Sequence, residues 1–144
     1  MTIAAVLSQK GREVATIPRS ATLGEAASEL ARRKIGALVV IDDEGQVAGV
    51  LSERDLVACL AEHGDSELLA RPVALAMTAP AITVMSSTPV LSALALMTNK
   101  RIRHLPVMQD GQLAGLVSIG DLVKYRIEHI EREAEAMRNY IQGS

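Results

Sequence analysis

The chain has 144 residues, of which 49% are hydrophobic and 22% charged, and its formal net charge is −2 at pH 7. This composition is too apolar for a disordered protein, and the length suits one compact domain or two small units that share a core. The slightly acidic balance and the two tyrosines, which are the only aromatic residues, argue against a nucleic-acid-binding protein, which needs a basic face or stacking platforms.

At the N-terminus, residues 2–9 have the pattern of a short amphipathic helix that stops at Gly11. This stretch lacks the basic-then-apolar order of a signal peptide. The longest apolar run of the chain, residues 35–41, is far shorter than a membrane span. These features predict a soluble protein of the cytoplasm.

A first β-α-β-β-α unit follows. An extended piece at 14–17 precedes a helix that begins after Thr22, with Glu25 at the capping-box spacing. An apolar strand, an acidic turn with a glycine and a second strand then predict a hairpin, and the next helix begins at Ser52. Cys59, the only cysteine, excludes an internal disulfide and is expected on the buried side of this helix.

The second half of the chain repeats the first. Residues 35–41 (IGALVVI) match residues 102–108 (IRHLPVM), and residues 45–52 (GQVAGVLS) match residues 111–118 (GQLAGLVS). Identities in register at this density indicate two copies of one unit.

The connection between the copies, residues 66–77, is expected to hold a short helix at 72–77. In the second copy, the first helix is expected to open with Thr88 as its cap. Pro89 then takes the first helical position, where proline is tolerated.

The last predicted element is a long helix over residues 122–141 that extends past the repeat. Its apolar residues recur at spacings of three and four, and its opposite face is charged. This stripe consists of Val123, Ile127, Ile130, Ala134, Met137 and Ile141. The stripe folds back on its own domain or pairs with another chain, and we favour the second arrangement, a homodimer.

Neither copy is long enough to be stable alone, and the strands are apolar on both faces. The sequence therefore predicts an α/β (α+β) fold in which two β-α-β-β-α repeats pack about a pseudo-twofold axis. The expected organisation is a lead-in at 1–13, a first repeat at 14–64, a linker at 65–80, a second repeat at 81–126 and a C-terminal helical extension at 127–144.

Four segments of these repeats resemble the tandem CBS-domain module, also called a Bateman module. They are residues 35–40 (IGALVV), 49–56 (GVLSERDL), 101–107 (RIRHLPV) and 115–122 (GLVSIGDL). Residues 73–78 (VALAMT) are also similar to the segment that leads into a second CBS repeat. The resemblance implies a stand-alone CBS pair that senses adenosine-containing ligands in the clefts between its repeats and pairs into a dimer.

The Gly-x-x-Ser-x-x-Asp element of each repeat has a physical logic. The helix that starts at Ser52 or Ser118 presents N–H groups and a positive dipole end, which suit a phosphate. Asp55 or Asp121, one turn further on, can accept hydrogen bonds from both hydroxyls of a ribose. Ser-x-x-Asp is also a capping box that needs no ligand, and the two roles can coexist.

In similar CBS pairs a basic pair at the start of a strand contacts ligand phosphates, and the resemblance gives this role to Arg103 and His104. Because neighbouring strand residues point to opposite faces, we expect only one of the two in a given cleft. The alternative is an exposed charge that protects a sheet edge. The first repeat has Gly36 and Ala37 at these positions, so the clefts are not equivalent, and Arg54 is the candidate cation there. Which repeat's cleft each cation serves is left open by the sequence.

In the family, the residues that contact the base correspond to residues 16–18 of the first repeat and 83–85 of the second. No aromatic residue is near them in the sequence, so an adenine would lie between aliphatic groups and be selected by backbone N–H and C=O groups. For Ile17 and Val84, ordinary core packing is an equal alternative. The residues expected to bind the ligand are Thr16, Ile17, Pro18, Gly36, Ala37, Ser52, Arg54, Asp55, Thr83, Val84, Met85, Arg103, His104, Pro106, Ser118 and Asp121.

AMP is the ligand expected first, and ADP, ATP, NAD and S-adenosylmethionine share its adenosine.

No metal is expected, because three scattered histidines and one cysteine form no ligand set. Ser118, His104 and Asp121 are the residue types of a hydrolytic triad, but a Ser-x-x-Asp spacing at a helix start suits capping, so we expect no enzyme. The expected partners are the small molecule, a second copy and an unnamed downstream protein. The rival hypothesis is a structural homodimerisation module without a physiological ligand.

Overall fold

Two three-stranded sheets of the same topology form the frame of the molecule in the computed structural model, which describes residues 1–143. In the first sheet, β1 (Thr16–Pro18) is parallel to β2 (Ala37–Ile41), and β2 is antiparallel to β3 (Val47–Ser52). The hairpin between β2 and β3 is the one predicted from the apolar runs and the acidic turn.

The second sheet repeats this arrangement. Its strands are β4 (Val84–Met85), β5 (His104–Gln109) and β6 (Gln112–Ser118), again with one parallel and one antiparallel pair. The matching sheets confirm the predicted mixed α/β fold of two β-α-β-β-α repeats.

Five α-helices accompany the sheets in the described residues. They are α1 (Ile3–Lys10), α2 (Leu23–Arg33), α3 (Glu53–His63), α4 (Val90–Lys100) and α5 (Ile119–Gln142). The predicted long C-terminal helix is thus present and begins directly after β6. The helix expected at 72–77 is only a short 3-10 turn, Val73–Leu75. The chain leaves the helical path there because Thr78 pairs with Val50 in an antiparallel bridge.

The starts of the two first helices differ. Thr22 caps α2 as predicted, since its hydroxyl accepts a hydrogen bond from the Glu25 backbone N–H at 3.2 Å. The prediction that Thr88 caps α4 is wrong, because the Thr88 hydroxyl instead accepts from the Met85 backbone N–H at 3.0 Å. Pro89 is the N-cap of α4.

The N-terminal helix packs on the second repeat, although it precedes the first. Ile3, Val6 and Leu7 are almost fully buried in the core of the second repeat. The backbone N–H of Ile3 donates to the Thr88 carbonyl at 2.9 Å, which fixes the start of α1 on this repeat. Helix α1 is therefore part of the core of the second repeat, although the whole first repeat lies between them in the sequence.

A smaller apolar cluster joins the two sheets. It consists of Ala37, Val39 and Val50 from the first sheet and Leu116 from the second, all 9% exposed or less. The first repeat also has its own core, in which Cys59 is buried as predicted. The cluster between the sheets holds the two repeats face to face and leaves a cleft beside it.

Candidate functional site

A cleft of about 260 Å³ lies between the two repeats, and we call it the inter-repeat cleft. It combines residues of the first repeat, the linker and the second repeat. Its lining consists of Gly36, Val50, Ser52, Glu53, Arg54, Asp55, Thr78, Ala81, Ile82, Arg101, Ile102, Arg103 and His104.

The capping box at the start of α3 forms one wall of the cleft. Asp55 Oδ2 accepts from the Ser52 backbone N–H at 2.8 Å, and Ser52 Oγ accepts from the Asp55 backbone N–H at 3.2 Å. The other carboxylate oxygen, Oδ1, receives only a long 3.4 Å hydrogen bond from the Thr78 hydroxyl. The capping role uses one carboxylate oxygen and leaves the second weakly bonded at the cleft, where a ligand hydroxyl can donate to it.

Basic side chains from the other repeat form the facing wall. Arg103 and His104 line the cleft together with Arg54, Ser52 and Asp55 of the first repeat. Arg103 and His104 of the second repeat therefore lie beside the Ser-x-x-Asp element of the first repeat, whereas Arg54 belongs to the same repeat as that element.

Both residues of the basic pair line the cleft, whereas the alternation of a strand predicts that only one side chain faces it. Strand β5 begins at His104, so Arg103 lies in a bend before the strand and does not follow its alternation. Both residues therefore border the same cleft.

The imidazole of His104 packs over Gly36. A Cβ atom at Gly36 would lie 3.1 Å from His104 Nε2 and 3.3 Å from Glu53 Oε1, closer than most side-chain contacts allow. A glycine at this position gives the histidine of one repeat access to the backbone of the other.

The pKa of His104 is shifted by its surroundings. Burial lowers the pKa of His104, and the positive charges of Lys10 and Arg103 act in the same direction, against the carboxylates of Asp121 and Glu53. The neutral imidazole is therefore favoured near pH 7 in the free protein.

The second Ser-x-x-Asp element has the same capping box but a different environment. Asp121 Oδ2 accepts from the Ser118 backbone N–H at 2.8 Å and from Lys10 Nζ at 2.5 Å. Lys10 also donates to the Leu116 carbonyl oxygen at 2.6 Å. Burial by itself raises the pKa of Asp121, but hydrogen bonds from Lys10 and Ser118 outweigh it and hold this pKa below its usual range.

Several predicted site residues lie away from the inter-repeat cleft. Thr16, Ile17 and Pro18 line a separate, open depression beside α2, and Ile17 is buried in the first core. Val84 is buried in the second core, while the neighbouring Met85 is 62% exposed. For Ile17 and Val84 the structure thus favours the core-packing alternative.

In the second repeat, the residues just before the predicted segment 83–85 line the cleft in its place. Ala81 and Ile82 line the cleft, whereas Thr83 does not. Ala37 also lies outside the lining, since it is buried between the sheets. Pro106 is buried within β5, opposite Leu116.

Sequence reasoning missed some residues that line the cleft. Arg101 follows the last residue of α4 in a left-handed conformation, with φ of 56°. Basic residues are common at helix C-termini because of the helix dipole, so its sequence position gave no sign of a binding role. Thr78 enters through the fold of the linker and Ile82 through the first residues of the second repeat, which no local pattern predicts.

Within residues 1–143, no helix has the length and apolar character needed to cross a bilayer. Within the same residues, no three His, Cys, Asp or Glu side chains are grouped as a metal site.

The comparisons with known proteins identify the family. The model of the CBS domain matches residues 10–62 and again residues 71–128. A curated relative, the mitochondrial CBS domain-containing protein CBSX3 of Arabidopsis thaliana, is 36% identical over 126 residues, which are 85% of this chain and 61% of that protein. The chain thus spans less than two thirds of this relative's length.

Solved structures agree with this assignment. The CBS-domain containing protein ATU1752 from Agrobacterium tumefaciens is 41% identical, with a TM-score of 0.83 over 87% of this chain and 92% of that one. The CBS domain protein PAE2072 from Pyrobaculum aerophilum, solved in complex with AMP, is 31% identical, with a TM-score of 0.73 over 84% of this chain and 89% of that one. The matches cover both repeats. This chain therefore belongs to the CBS-domain family and carries two copies of the domain.

Proposed function

We propose that this protein is a non-enzymatic regulator that binds an adenosine-containing ligand, AMP first, in the inter-repeat cleft. The observation that carries the proposal is the meeting of Asp55 and Arg54 of one repeat with Arg103 and His104 of the other in one cleft. A carboxylate can accept hydrogen bonds from the hydroxyls of a ribose, and cations beside it can bind the phosphate attached to that ribose.

Each part of the ligand has a counterpart in the lining. The weakly bonded Oδ1 of Asp55 suits a ribose hydroxyl, and the guanidinium groups of Arg54 and Arg103 suit the phosphate. Ile82 and Ile102 offer aliphatic surface to the base. The AMP complex of PAE2072, a related protein, supports this ligand class.

The size of the cleft favours the smaller candidates. About 260 Å³ lies just below the usual range of small-molecule sites, roughly 300–1,000 Å³. AMP is smaller than ADP, ATP and NAD and fits such a volume best, so we rank it first.

The regulatory mechanism in this proposal is a shift in how the repeats pack. Ligand charge between Arg54 and Arg103 draws together walls that belong to different repeats, and α5, whose N-cap is Ser118, passes the change to a partner. The protein acts as a homodimer in the cytoplasm, with a downstream protein as receiver of the signal.

A second candidate is a structural homodimerisation module. It is favoured by the exposed apolar side chains of α5, such as Ile127 and Met137, which are 51% and 61% exposed. In this case the cleft would have no physiological ligand.

A thermal-shift panel separates the two candidates. Purified protein, verified free of bound nucleotide, is heated with AMP, ADP, ATP, NAD or S-adenosylmethionine. A ligand at a hundredfold excess over its Kd stabilises the folded state by roughly 2.7 kcal/mol, which raises Tm by several degrees. A concentration-dependent rise supports the sensor, and a flat panel supports the structural module.

A further inference from the structure

The last helix extends well beyond the second repeat. Helix α5 has 24 residues and a length of about 36 Å, and every residue from 131 to 143 is exposed. Leu122 near its start is fully buried, but the other large apolar side chains that follow along one stripe are open to solvent. Val123, Ile127, Ile130, Met137 and Ile141 are between 42% and 66% exposed, and Ala134 is exposed as well.

These apolar residues form a heptad repeat. Ile127, Ala134 and Ile141 are spaced by seven residues and occupy position a. Val123, Ile130 and Met137 occupy position d in the same way. Alternating spacings of four and three over 19 residues give the narrow seam of a two-stranded coiled coil, not the broader face that packs on a globular core.

The charges beside the seam select the orientation of the partner helix. Arg126 and Glu133 occupy position g, and Glu131 and Arg138 occupy position e. In a parallel, in-register pair, each g residue faces the e residue five positions further along the partner. Arg126 then meets the partner's Glu131, and Glu133 meets the partner's Arg138, so both contacts join opposite charges.

An antiparallel pair centred on the same segment brings like charges together. Glu131 would face the partner's Glu131, and Glu133 would face the partner's Glu133. Within one chain, Glu133 contacts His129 at 3.2 Å and Arg138 contacts Glu135 at 3.6 Å. These are exposed intrahelical pairs, which are weak and can be exchanged for contacts with a partner.

We propose that residues 123–141 of α5 form a parallel, in-register coiled coil with the same helix of a second copy of this chain. The proposal rests on the homodimer proposed above and specifies its interface and orientation. The self-complementary charge pattern identifies a second copy as the occupant of the seam.

Charge reversal tests the interface. The double variant Arg126→Glu with Arg138→Glu makes the flanking positions acidic, and the double variant Glu131→Arg with Glu133→Arg makes them basic. Each variant alone places like charges at four contacts, and the dimer Kd should rise roughly ten- to a hundredfold by sedimentation equilibrium. Mixing the two variants should restore a dimer of wild-type affinity, which also shows that each variant is folded.

A cysteine cross-link tests the orientation. In a Cys59→Ala background, Ile141→Cys brings two thiols together only in the parallel, in-register arrangement, and mild oxidation should link the chains. The matched control is Arg132→Cys, which lies at position f, on the side of the helix away from the seam.

The outcomes separate this inference from the homodimer itself. A wild-type protein that remains monomeric overturns both. A wild-type dimer whose Kd is unaffected by charge reversal overturns the α5 interface and leaves the homodimer. Restoration on mixing without a link through residue 141 overturns the parallel orientation.

Discussion

Lys10 Nζ lies 2.5 Å from the carboxylate of Asp121, although the two residues are 111 positions apart in the chain. The corresponding carboxylate of the first repeat, Asp55, receives instead a 3.4 Å hydrogen bond from the Thr78 hydroxyl. Both aspartates complete the same capping box, yet the carboxylate of Asp121 is neutralised by an ammonium group while Asp55 lines the inter-repeat cleft. The two repeats therefore offer chemically different sites to a ligand.

This difference predicts unequal effects of two matched substitutions. Asp55→Ala should weaken AMP binding by tenfold or more, because hydrogen bonds between a charged group and a hydroxyl contribute about 1.5–3 kcal/mol. Asp121→Ala removes an equivalent capping box and should leave AMP affinity within about twofold. Isothermal titration calorimetry measures both, and an equal loss of affinity in the two variants would contradict the assignment of the site to Asp55.

The Lys10–Asp121 pair also predicts a pH-dependent contribution to stability. Lys10→Met should lower the free energy of unfolding by about 1 kcal/mol at pH 7, the upper range for a pair that is partly exposed. The pKa of Asp121 is lower in the folded state than in the unfolded state, so this stabilisation is present above the unfolded value of about 3.9. It is lost as the pH falls through the folded pKa.

Urea unfolding at several pH values checks this prediction. The difference between wild type and Lys10→Met should be full at pH 7 and vanish in strongly acidic solution. Arg12→Met, which removes an exposed cation close to Lys10 in the chain, serves as the control and should change stability by less than about 0.5 kcal/mol. A difference that persists unchanged at low pH would show that Lys10 acts through packing alone.

His104 should take up a proton when a phosphate-containing ligand binds. Its pKa is lowered in the free protein by burial and by Lys10, and a phosphate in the inter-repeat cleft would favour the charged imidazolium. AMP affinity should therefore rise as the pH falls from 7.5 to 6. The binding enthalpy should also depend on the ionisation enthalpy of the buffer.

The lowered pKa of His104 also affects folding, and here a fall in pH is unfavourable. The unfolded chain binds a proton at His104 near pH 6.5, whereas the folded chain binds it only at lower pH, so His104 lowers stability as the pH falls through this range. His104→Gln should remove both the buffer dependence of AMP binding and this part of the pH dependence of stability. Buffer-dependent enthalpy that survives in the variant would assign the proton to another group.

Two equivalent glycines should respond differently to alanine. A Cβ at Gly49 would lie 2.6 Å from the backbone oxygen of Thr78, so the linker itself must move. A Cβ at Gly115 would lie 2.7 Å from the end of the Leu7 side chain, which can shift with less disruption. We expect Gly49→Ala to cost about 2–3 kcal/mol and Gly115→Ala to cost less.

Chemical denaturation gives both values for the glycine variants. Because Thr78 lines the inter-repeat cleft, Gly49→Ala should also weaken AMP binding when the variant is measured well below its Tm. Equal stability losses at the two glycines would indicate that Leu7 is held as rigidly as the backbone.

Local signals were sufficient for much of the fold. The repeat, the two hairpins and the helices that start at Ser52 and Ser118 follow from hydrophobic patterns and capping residues that act within a few positions. The prediction of a Thr88 cap failed because a tertiary contact replaced a local one. The Val90 N–H donates to the carbonyl of Met1, which the N-terminal segment brings to the start of α4.

The sequence by itself determined that there are two repeats, each with a Ser-x-x-Asp element, and that only the second carries the basic pair Arg103 and His104 where its strand starts. Tertiary structure decided that Arg103 and His104 face Asp55, while Lys10 covers Asp121. The physical reason is that a capping box fixes an aspartate by contacts three residues away, whereas the charge that faces its carboxylate comes from whichever distant segment packs on the sheet. Here α1 packs on the second repeat, whereas the linker packs on the first. Because different segments cover the two copies, one repeated motif forms two different sites.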